Sequence, residues 1–183
     1  GERLTIYEKG NTHMKHINIE IVRAKGQDAE GLLEYLKIVG SETDNLSFGA
    51  DGVLLEVEEE RKYLDQQTKS LNDIQLLAKA NGEIIGTASL IRKKNRMSHR
   101  AEFGISVKKA WWGCGVASTL MEYILAFAKS TGVEQINLEV RSDNKRAIAL
   151  YKKFGFHKLC TFPGFFKING ELVDFDFMNL EIC

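Results

Sequence analysis

The chain has 183 residues, about the length of a single domain. Its 25 Lys and Arg residues balance 25 Asp and Glu residues, and this zero formal charge argues against a dedicated nucleic-acid or anionic-membrane binder. A hydrophobic fraction of 44% supports a packed core and excludes disorder, and a single proline excludes a proline-rich linker.

Apolar runs and cysteines indicate the cellular setting. No apolar run approaches the roughly 18–20 residues of a membrane helix, and the first residues lack the apolar core of a signal peptide. Cys114, Cys160 and Cys183 are odd in number and form no Cys-x-x-Cys pair, which argues against a disulfide framework or a zinc site. We therefore expect a cytoplasmic protein without a metal.

The first residues differ in character from the rest. The chain opens on Gly1, and a polar segment continues as far as Met14. We therefore interpret residues 1–15 as a tag remnant or a flexible N-terminal extension, and residues 16–183 as one domain.

A strand and two helices are predicted first. Alternating isoleucines over 17–21 predict a half-buried strand. Apolar residues at helical spacing over about 28–40 then predict a helix that Asp28 could cap. A long loop over 41–53 follows. A second helix is predicted from about Glu56, because its acidic start suits the helix dipole.

The strongest hairpin signal lies in the middle of the chain. Two β-like runs, Ile74–Ala80 and Glu83–Ile91, are joined by Asn81-Gly82, a dipeptide that favours a tight hairpin turn. The basic stretch over 92–100 that follows is interpreted as a second, solvated turn, with a phosphate-contacting patch as the alternative.

The second half of the chain alternates strands and helices before a closing hairpin. In order, the predicted elements are a strand over 102–107, a turn with Gly113 and Gly115, a helix over about 117–130, a strand over 136–140, a helix capped by Asp143 or Asn144, and a hairpin around Asn169-Gly170. The full order is β-α-α-β-β-β-α-β-α-β-β. It predicts an α/β fold with a mixed, mostly antiparallel central sheet flanked by helices, and one β-α-β crossover near 102–140.

The turn with two glycines carries the first chemical signal. Glycines let a backbone turn its N–H groups outward, and the helix N-terminus after them adds partial positive charge, which suits a pyrophosphate. A tight strand-to-helix turn can need the same glycines for its shape alone. A dinucleotide-binding fingerprint needs a third glycine where Ser118 stands, so the sequence argues against a Rossmann-type oxidoreductase.

Two motifs resemble one known family. The residues Trp112-Gly-Cys-Gly-Val-Ala117 are similar to the (Gln/Arg)-x-x-Gly-x-(Gly/Ala) motif of the GNAT (Gcn5-related) N-acetyltransferases, although Trp112 stands where Arg or Gln is usual. Residues 144–156 match the family's Asn-x-x-Ala-x-x-Leu-Tyr-x-x-x-Gly-Phe. The element order is also similar over about 17–180. The resemblance implies one N-acetyltransferase domain over 16–183, with a GNAT-like fold.

The resemblance also implies a reaction. Acetyl-CoA is the expected co-substrate, and its acetyl group is expected to pass to a primary amine of a small molecule by direct attack in a ternary complex. By the same resemblance, the pantetheine arm pairs with the strand at Ile105 and Val107, and the pyrophosphate lies on the glycine turn with a hydroxyl from Ser118 or Thr119. The implied cofactor-binding residues are Ile105, Ser106, Val107, Trp112, Gly113, Cys114, Gly115, Val116, Ala117, Ser118, Asn144, Ala147 and Tyr151.

Two residues are candidates for proton transfer. Tyr151 resembles the family's general acid, which protonates the departing thiolate, although an aromatic at this spacing can also be a core residue. Glu102 is the candidate base for the ammonium proton, with a salt bridge to Arg100 or Lys79 as the alternative. Asp174 and Asp176 share one face of the last strand, a pattern typical of a solvated face. Other carboxylates that could serve are Glu42, Asp44, Asp174 and Asp176.

Several alternatives stay open at this point. A peptide or protein N-acetyltransferase of the same fold would present an open groove, and a non-catalytic acyl-CoA-binding module would not need the Tyr151 hydroxyl. The first helix, the 41–53 loop and the last hairpin are expected to wall the acceptor site. We expect no nucleic-acid or membrane partner, and leave a homodimer open.

Overall fold

The computed structural model describes residues 3–8 and 15–182. The strands are β1 Arg3–Glu8, β2 Lys15–Arg23, β3 Ile74–Ala80, β4 Glu83–Arg92, β5 Arg100–Val107, β6 Gln135–Arg141, β7 His157–Ile168 and β8 Glu171–Glu181. The helices are α1 Ala29–Glu42, α2 Val57–Lys69, α3 Val116–Ser130 and α4 Lys145–Lys153. Within these ranges no helix is both long and apolar enough to span a membrane.

All eight strands belong to one sheet, in the order β1-β2-β3-β4-β5-β6-β8-β7. Neighbouring strands are antiparallel except β5 and β6, which are parallel and are connected through α3. Their pairing is short, because only Arg100–Glu102 lie opposite Gln135–Asn137. The mixed, mostly antiparallel sheet and the single crossover are therefore confirmed.

A strand begins within the segment interpreted as a tag remnant or a flexible extension. Residues 3–8 form β1, which pairs with β2 from Arg3 opposite Glu20 to Glu8 opposite Lys15. The sequence analysis predicted no strand here, because it left these residues out of the fold prediction. Residues 1, 2 and 9–14 of the predicted extension lie outside the described residues, as does Cys183.

The central hairpin forms as predicted from its turn residues. Asn81 and Gly82 both adopt positive φ, 50° and 84°, which matches the right-handed twist of the strands they join. The flanking strands β3 and β4 begin and end within a residue of their predicted bounds.

Each face of the sheet has its own core. On one face, here named the α3 face, Leu120 and Ile124 of α3 pack with Ile136 of β6. On the opposite α1 face, Tyr35 of α1 packs with Leu64 of α2. Because successive residues of a strand point to opposite faces, β3 and β4 contribute to both cores, for example with Leu76 and Leu77 of β3.

Asp176 is buried, contrary to the solvated face expected for it and Asp174. Its carboxylate accepts hydrogen bonds from the Ser142 hydroxyl at 2.7 Å and the Thr161 hydroxyl at 2.8 Å, and pairs with the Lys158 ammonium at 2.9 Å. Burial opposes ionisation, but these three donors outweigh it and hold the pKa of Asp176 below its ordinary value. The residue thus ties β7, β8 and the segment after β6 together.

We predict that Asp176→Ala lowers the free energy of unfolding by about 2 kcal/mol, because three donors lose their acceptor. For a chain of this length that is about 4–8 °C in Tm. A carboxyl group whose pKa is depressed in the folded state stabilises it above the unfolded-state pKa and ceases to do so as pH falls. The Tm difference from wild type should therefore be full at pH 7 and shrink below about pH 4. Thermal unfolding at several pH values measures it.

The control is Glu171→Ala, which removes an exposed carboxylate from the start of the same strand. Its Tm should match that of the wild type at every pH. Equal Tm values for Asp176→Ala and wild type at pH 7 would contradict the stabilising role of Asp176.

Candidate active site

A cavity of about 700 Å³ lies where β5 and β6 separate. Beyond Glu102, β5 is paired only with β4 among the described strands, so the edge facing β6 has backbone groups without a strand partner. Residues 103–107 of β5 and residues 139 and 140 of β6 line the opening. The volume falls within the roughly 300–1,000 Å³ of pockets that hold small ligands and cofactors.

The glycine turn forms one end of this cavity. Gly113 and Gly115 have φ angles of 78° and 84°, a region that favours glycine. A Cβ atom built on either residue would meet nothing within 4 Å. The glycines are therefore required by the backbone conformation rather than by tight packing, and the turn keeps an open surface toward the cavity.

The same turn carries unused hydrogen-bond donors. The first N–H of α3 to find a carbonyl is that of Thr119, which donates to Gly115 at 3.0 Å. In the described part of the chain, no acceptor is bonded to the N–H groups of Gly113, Gly115, Val116, Ala117 and Ser118. Free donors at the start of a 15-residue helix, together with its dipole, suit an anionic group.

The polar side chains of the turn and of the start of α3 differ in whether they can reach the cavity. The Thr119 hydroxyl donates to the Gly115 carbonyl at 3.1 Å and is thus engaged within the helix, whereas Ser118 lines the cavity. Cys114 does not line it, and its thiol lies 3.8 Å from the Trp112 carbonyl oxygen. Ser118 is therefore the hydroxyl that can reach a ligand.

Trp112 connects the turn to two other elements. Its indole Nε1 donates to the Val107 carbonyl at 2.8 Å, so this carbonyl of β5 is already engaged. The guanidinium carbon of Arg146, from α4, lies 3.3 Å from the centre of the Trp112 ring. Arg146 also lines the cavity, and it forms no ion pair among the residues described. The sequence analysis missed Arg146, although its place two residues after Asn144 in the second motif was a usable signal.

Asn144 caps α4 and borders the cavity. Its side-chain oxygen accepts a hydrogen bond from the Ala147 N–H at 3.2 Å, which confirms the predicted cap. The cap uses the amide oxygen and leaves the side-chain nitrogen for a ligand. Asn144 and Ala147 both line the cavity.

Tyr151 is buried within an aromatic cluster and also lines the cavity. Its ring packs against Phe103 and Phe156, with centroid separations of 6.2 and 5.9 Å. Burial raises the pKa of the Tyr151 phenol well above its usual range, so the proton stays on the oxygen. Within residues 3–8 and 15–182, no hydrogen bond engages its hydroxyl.

Ser106 lies on the α1 face of the opening. Its hydroxyl lies 3.0 Å from the buried Tyr35 hydroxyl of α1, and it lines the cavity. The α1 face therefore contributes polar groups to the same space that Tyr151 reaches from the α3 face.

Glu102 lies outside the cavity lining. Its side chain is half exposed and forms an ion pair with Lys93, and neither Arg100 nor Lys79 is its partner. The other carboxylates considered from the sequence do not line the cavity either: Glu42, Asp44, Asp174 and Asp176.

Glu139 is the carboxylate that lines the cavity. It follows Asn137, the residue opposite Glu102, by two positions and therefore shares its face of the sheet. Burial and then the Glu102 carboxylate raise the pKa of Glu139, and Lys93 partly offsets the effect. The sequence analysis did not propose Glu139 as a catalytic residue, because its position in the cavity depends on where β6 separates from β5.

The geometry agrees with comparisons to known proteins. The family model for the acetyltransferase (GNAT) family matches residues 44–156. The chain is 38% identical over 106 residues to the L-amino acid N-acetyltransferase AaaT of Escherichia coli, which covers 57% of this chain and 65% of that protein. It is 32% identical over 94 residues to the N-alpha-acetyltransferase RimI of Mycobacterium tuberculosis, covering 51% and 58%. The aligned part thus spans about half to two thirds of these curated relatives.

Solved structures show the same fold. A GNAT-family acetyltransferase from Streptococcus pneumoniae superposes with a TM-score of 0.86 at 32% identity, over 90% of this chain and 99% of that one. The yncA protein of Salmonella typhimurium, solved with its cofactor acetyl-CoA, superposes with a TM-score of 0.77 at 21% identity, over 89% and 93%. Because the family model spans more than half of the chain, and the two motifs and the sheet agree with it, the chain belongs to the GNAT family of acetyltransferases.

Proposed function

We propose that this chain transfers the acetyl group of acetyl-CoA to the primary amine of a small molecule. One observation carries the proposal: a single cavity joins the free N–H groups of the glycine turn to the unengaged hydroxyl of Tyr151 and the carboxylate of Glu139. These are an anion site, a proton donor and a proton acceptor, which acyl transfer to an amine requires.

The lining residues suit acetyl-CoA. The N–H groups of residues 113–118 would hold the pyrophosphate, with Ser118 and Arg146 as further donors. The unpaired edge of β5 would pair with the pantetheine arm at Ile105, because the Val107 carbonyl is already bonded to Trp112. The side-chain nitrogen of Asn144 supplies another contact.

The reaction needs three proton transfers besides acyl transfer. An amine with a pKa near 10 arrives as the ammonium ion, and Glu139 takes its first proton and later releases it to solvent. The nitrogen lone pair then forms the new C–N bond at the thioester carbonyl, and the C–S bond breaks. Tyr151 donates its proton to the leaving sulfur, and the second nitrogen proton passes to the Tyr151 phenolate as the amide forms, which restores the phenol. An unpaired backbone N–H of β5 would stabilise the developing oxyanion.

Glu102 then acts on Glu139 rather than on the substrate. Its carboxylate contributes to the raised pKa of Glu139, and a more basic carboxylate is a better acceptor for an ammonium proton. In this proposal Glu102 is a positioning residue, whereas Glu139 contacts the amine.

A small acceptor is favoured over a peptide because side chains close the acceptor part of the cavity on two sides. Leu46 and Phe48 of the 41–53 loop line one side, and Phe166 and Phe175 of the closing hairpin line another. The three segments expected to wall the acceptor site all contribute lining residues. The cytoplasmic location and the homodimer stay predictions.

The first test is binding and turnover of acetyl-CoA. At about 100 times its Kd, acetyl-CoA should stabilise the protein by roughly 2.7 kcal/mol, or about 5–10 °C in Tm, whereas NADH should give no shift. Primary amines should then cause thiol release from acetyl-CoA. A shift with NADH and none with acetyl-CoA would contradict the proposal.

Tyr151→Phe should lower kcat by about 100-fold or more, because the sulfur loses its proton donor. The Tm shift with acetyl-CoA should not change, because the ring and its packing remain. Steady-state thiol release and thermal unfolding measure the two effects. Tyr63→Phe, which removes a hydroxyl from α2 outside the cavity, is the matched control. An unchanged kcat in Tyr151→Phe would favour the non-catalytic acyl-CoA-binding module.

Arg146→Ala should raise the KM for acetyl-CoA by about 10–100-fold, because it removes a charge-assisted hydrogen-bond donor. The KM for the amine should stay within about threefold of wild type. Lys152→Ala removes a positive charge from the last turn of the same helix and is the control. If both variants raise the KM equally, Arg146 makes no specific contact with the phosphates.

A further inference from the structure

The cavity passes through the sheet and has a half on each face. On the α3 face it is lined by Tyr151 and Val140, and the glycine turn lies at its end. On the α1 face it is lined by Ser106 and Glu139, since alternate residues of each strand share a face. We name this second half the acceptor compartment, bounded by Phe48, Ser106, Glu139, Phe166 and Phe175.

Only two charged side chains line the cavity within the described chain, those of Glu139 and Arg146. Glu139 belongs to the acceptor compartment. The guanidinium of Arg146 stacks on Trp112 beside the glycine turn, which lies at the end of the other half. The acceptor compartment therefore has one negative charge and no lining cation.

Two described cations beside Glu139 are already paired. Lys93, which affects the pKa of Glu139, forms an ion pair with Glu102. Arg141, two residues after Glu139, binds both carboxylate oxygens of Asp143 at 2.7 and 3.0 Å. A carboxylate on the acceptor would meet Glu139 while both of these cations are engaged with other carboxylates.

Phenylalanine rings form a wall beside this charge, because Phe175 lies on β8, the strand next to Glu139. Phe166 and Phe175 lie 4.1 Å apart between ring centroids, and Phe165 packs on both at 5.2 and 5.4 Å. Phe48 packs against the α1-face core and lines the same compartment. Such a wall binds a flat apolar body through area burial and ring-to-ring contacts.

We propose that the acceptor is an amine with an aromatic or similarly bulky apolar body and with no carboxylate beside its amino group. Glu139 binds the ammonium group, and the phenylalanine wall binds the body. This inference rests on the proposed acetyl transfer. It separates the chain from its relative AaaT, whose name gives L-amino acids as substrates.

The discrimination is electrostatic. The carboxylate of an L-amino acid is attached to the carbon that bears the amine, so an amine held by Glu139 would bring the two carboxylates together. Repulsion between like charges without a counter-ion excludes such a substrate even where its body fits.

The experiment compares three amines that carry a phenyl ring with one that does not. 2-Phenylethylamine should have a kcat/KM at least about 100-fold above that of L-phenylalanine. L-Phenylalaninamide, in which a neutral amide replaces the carboxylate, should stay within about tenfold of 2-phenylethylamine. Ethanolamine, which lacks the apolar body, should fall about 30-fold or more. Equal values for 2-phenylethylamine and L-phenylalanine, or for 2-phenylethylamine and ethanolamine, overturn the inference.

A variant tests whether Glu139 is the cause. In Glu139→Gln the preference for 2-phenylethylamine over L-phenylalanine should fall to about tenfold or less, because the repulsive charge is gone. Glu134→Gln, just before β6 and outside the cavity, should keep the wild-type ratio. A ratio that Glu139→Gln leaves unchanged overturns the assigned role of Glu139.

Calorimetry separates this inference from the proposed function. Titration of 2-phenylethylamine and L-phenylalanine into the protein with CoA present reports acceptor binding without turnover. Tight binding of 2-phenylethylamine that weakens in Glu139→Gln, without thiol release from acetyl-CoA, would contradict the proposed transfer and support the acceptor chemistry. Binding of neither compound, or equal binding of both, overturns the inference.

Discussion

The separation of β5 from β6 is the constraint on which the site depends. Parallel pairing ends after Glu102 and Asn137, and the next residues of both strands diverge. Backbone groups left without partners in a sheet are unfavourable unless water or a ligand satisfies them. The opening thus leaves backbone groups with which an extended ligand can form hydrogen bonds. It also lets Tyr151 and Glu139 border one cavity from opposite faces of the sheet.

Placement on opposite faces gives the two proposed proton-transfer groups different environments. Tyr151 is surrounded by apolar rings, so desolvation alone raises the pKa of its phenol. Glu139 lies on the more open face, where burial and the Glu102 carboxylate raise its pKa together. Both shifts favour the protonated form: the tyrosine keeps the proton that it must donate, and the carboxylate becomes a stronger base.

Local patterns predicted most of the fold and most of the residues that line the cavity at the glycine turn. Asn81-Gly82 specifies its hairpin, and Asn144 caps its helix, through contacts within a few residues. Non-local contacts explain what the sequence analysis did not predict. Asp176 is buried against donors from β7 and from the segment after β6, and Glu139 depends on the register at which β5 and β6 separate. No single-sequence pattern encodes these two relationships, because each is set by separate segments of the chain.

The departure at Trp112 has a structural counterpart. The family's usual Arg or Gln at this position would bring a polar side chain to the turn, whereas the indole ring bonds to the Val107 carbonyl and carries the Arg146 guanidinium on its face. A cation stacked on an aromatic ring keeps its outer edge free for an anion. The positive charge therefore reaches the turn from α4 instead of from the turn itself. As a result the two motifs, separated by α3 and β6 along the chain, contact each other and together form the end of the cavity proposed to bind the pyrophosphate.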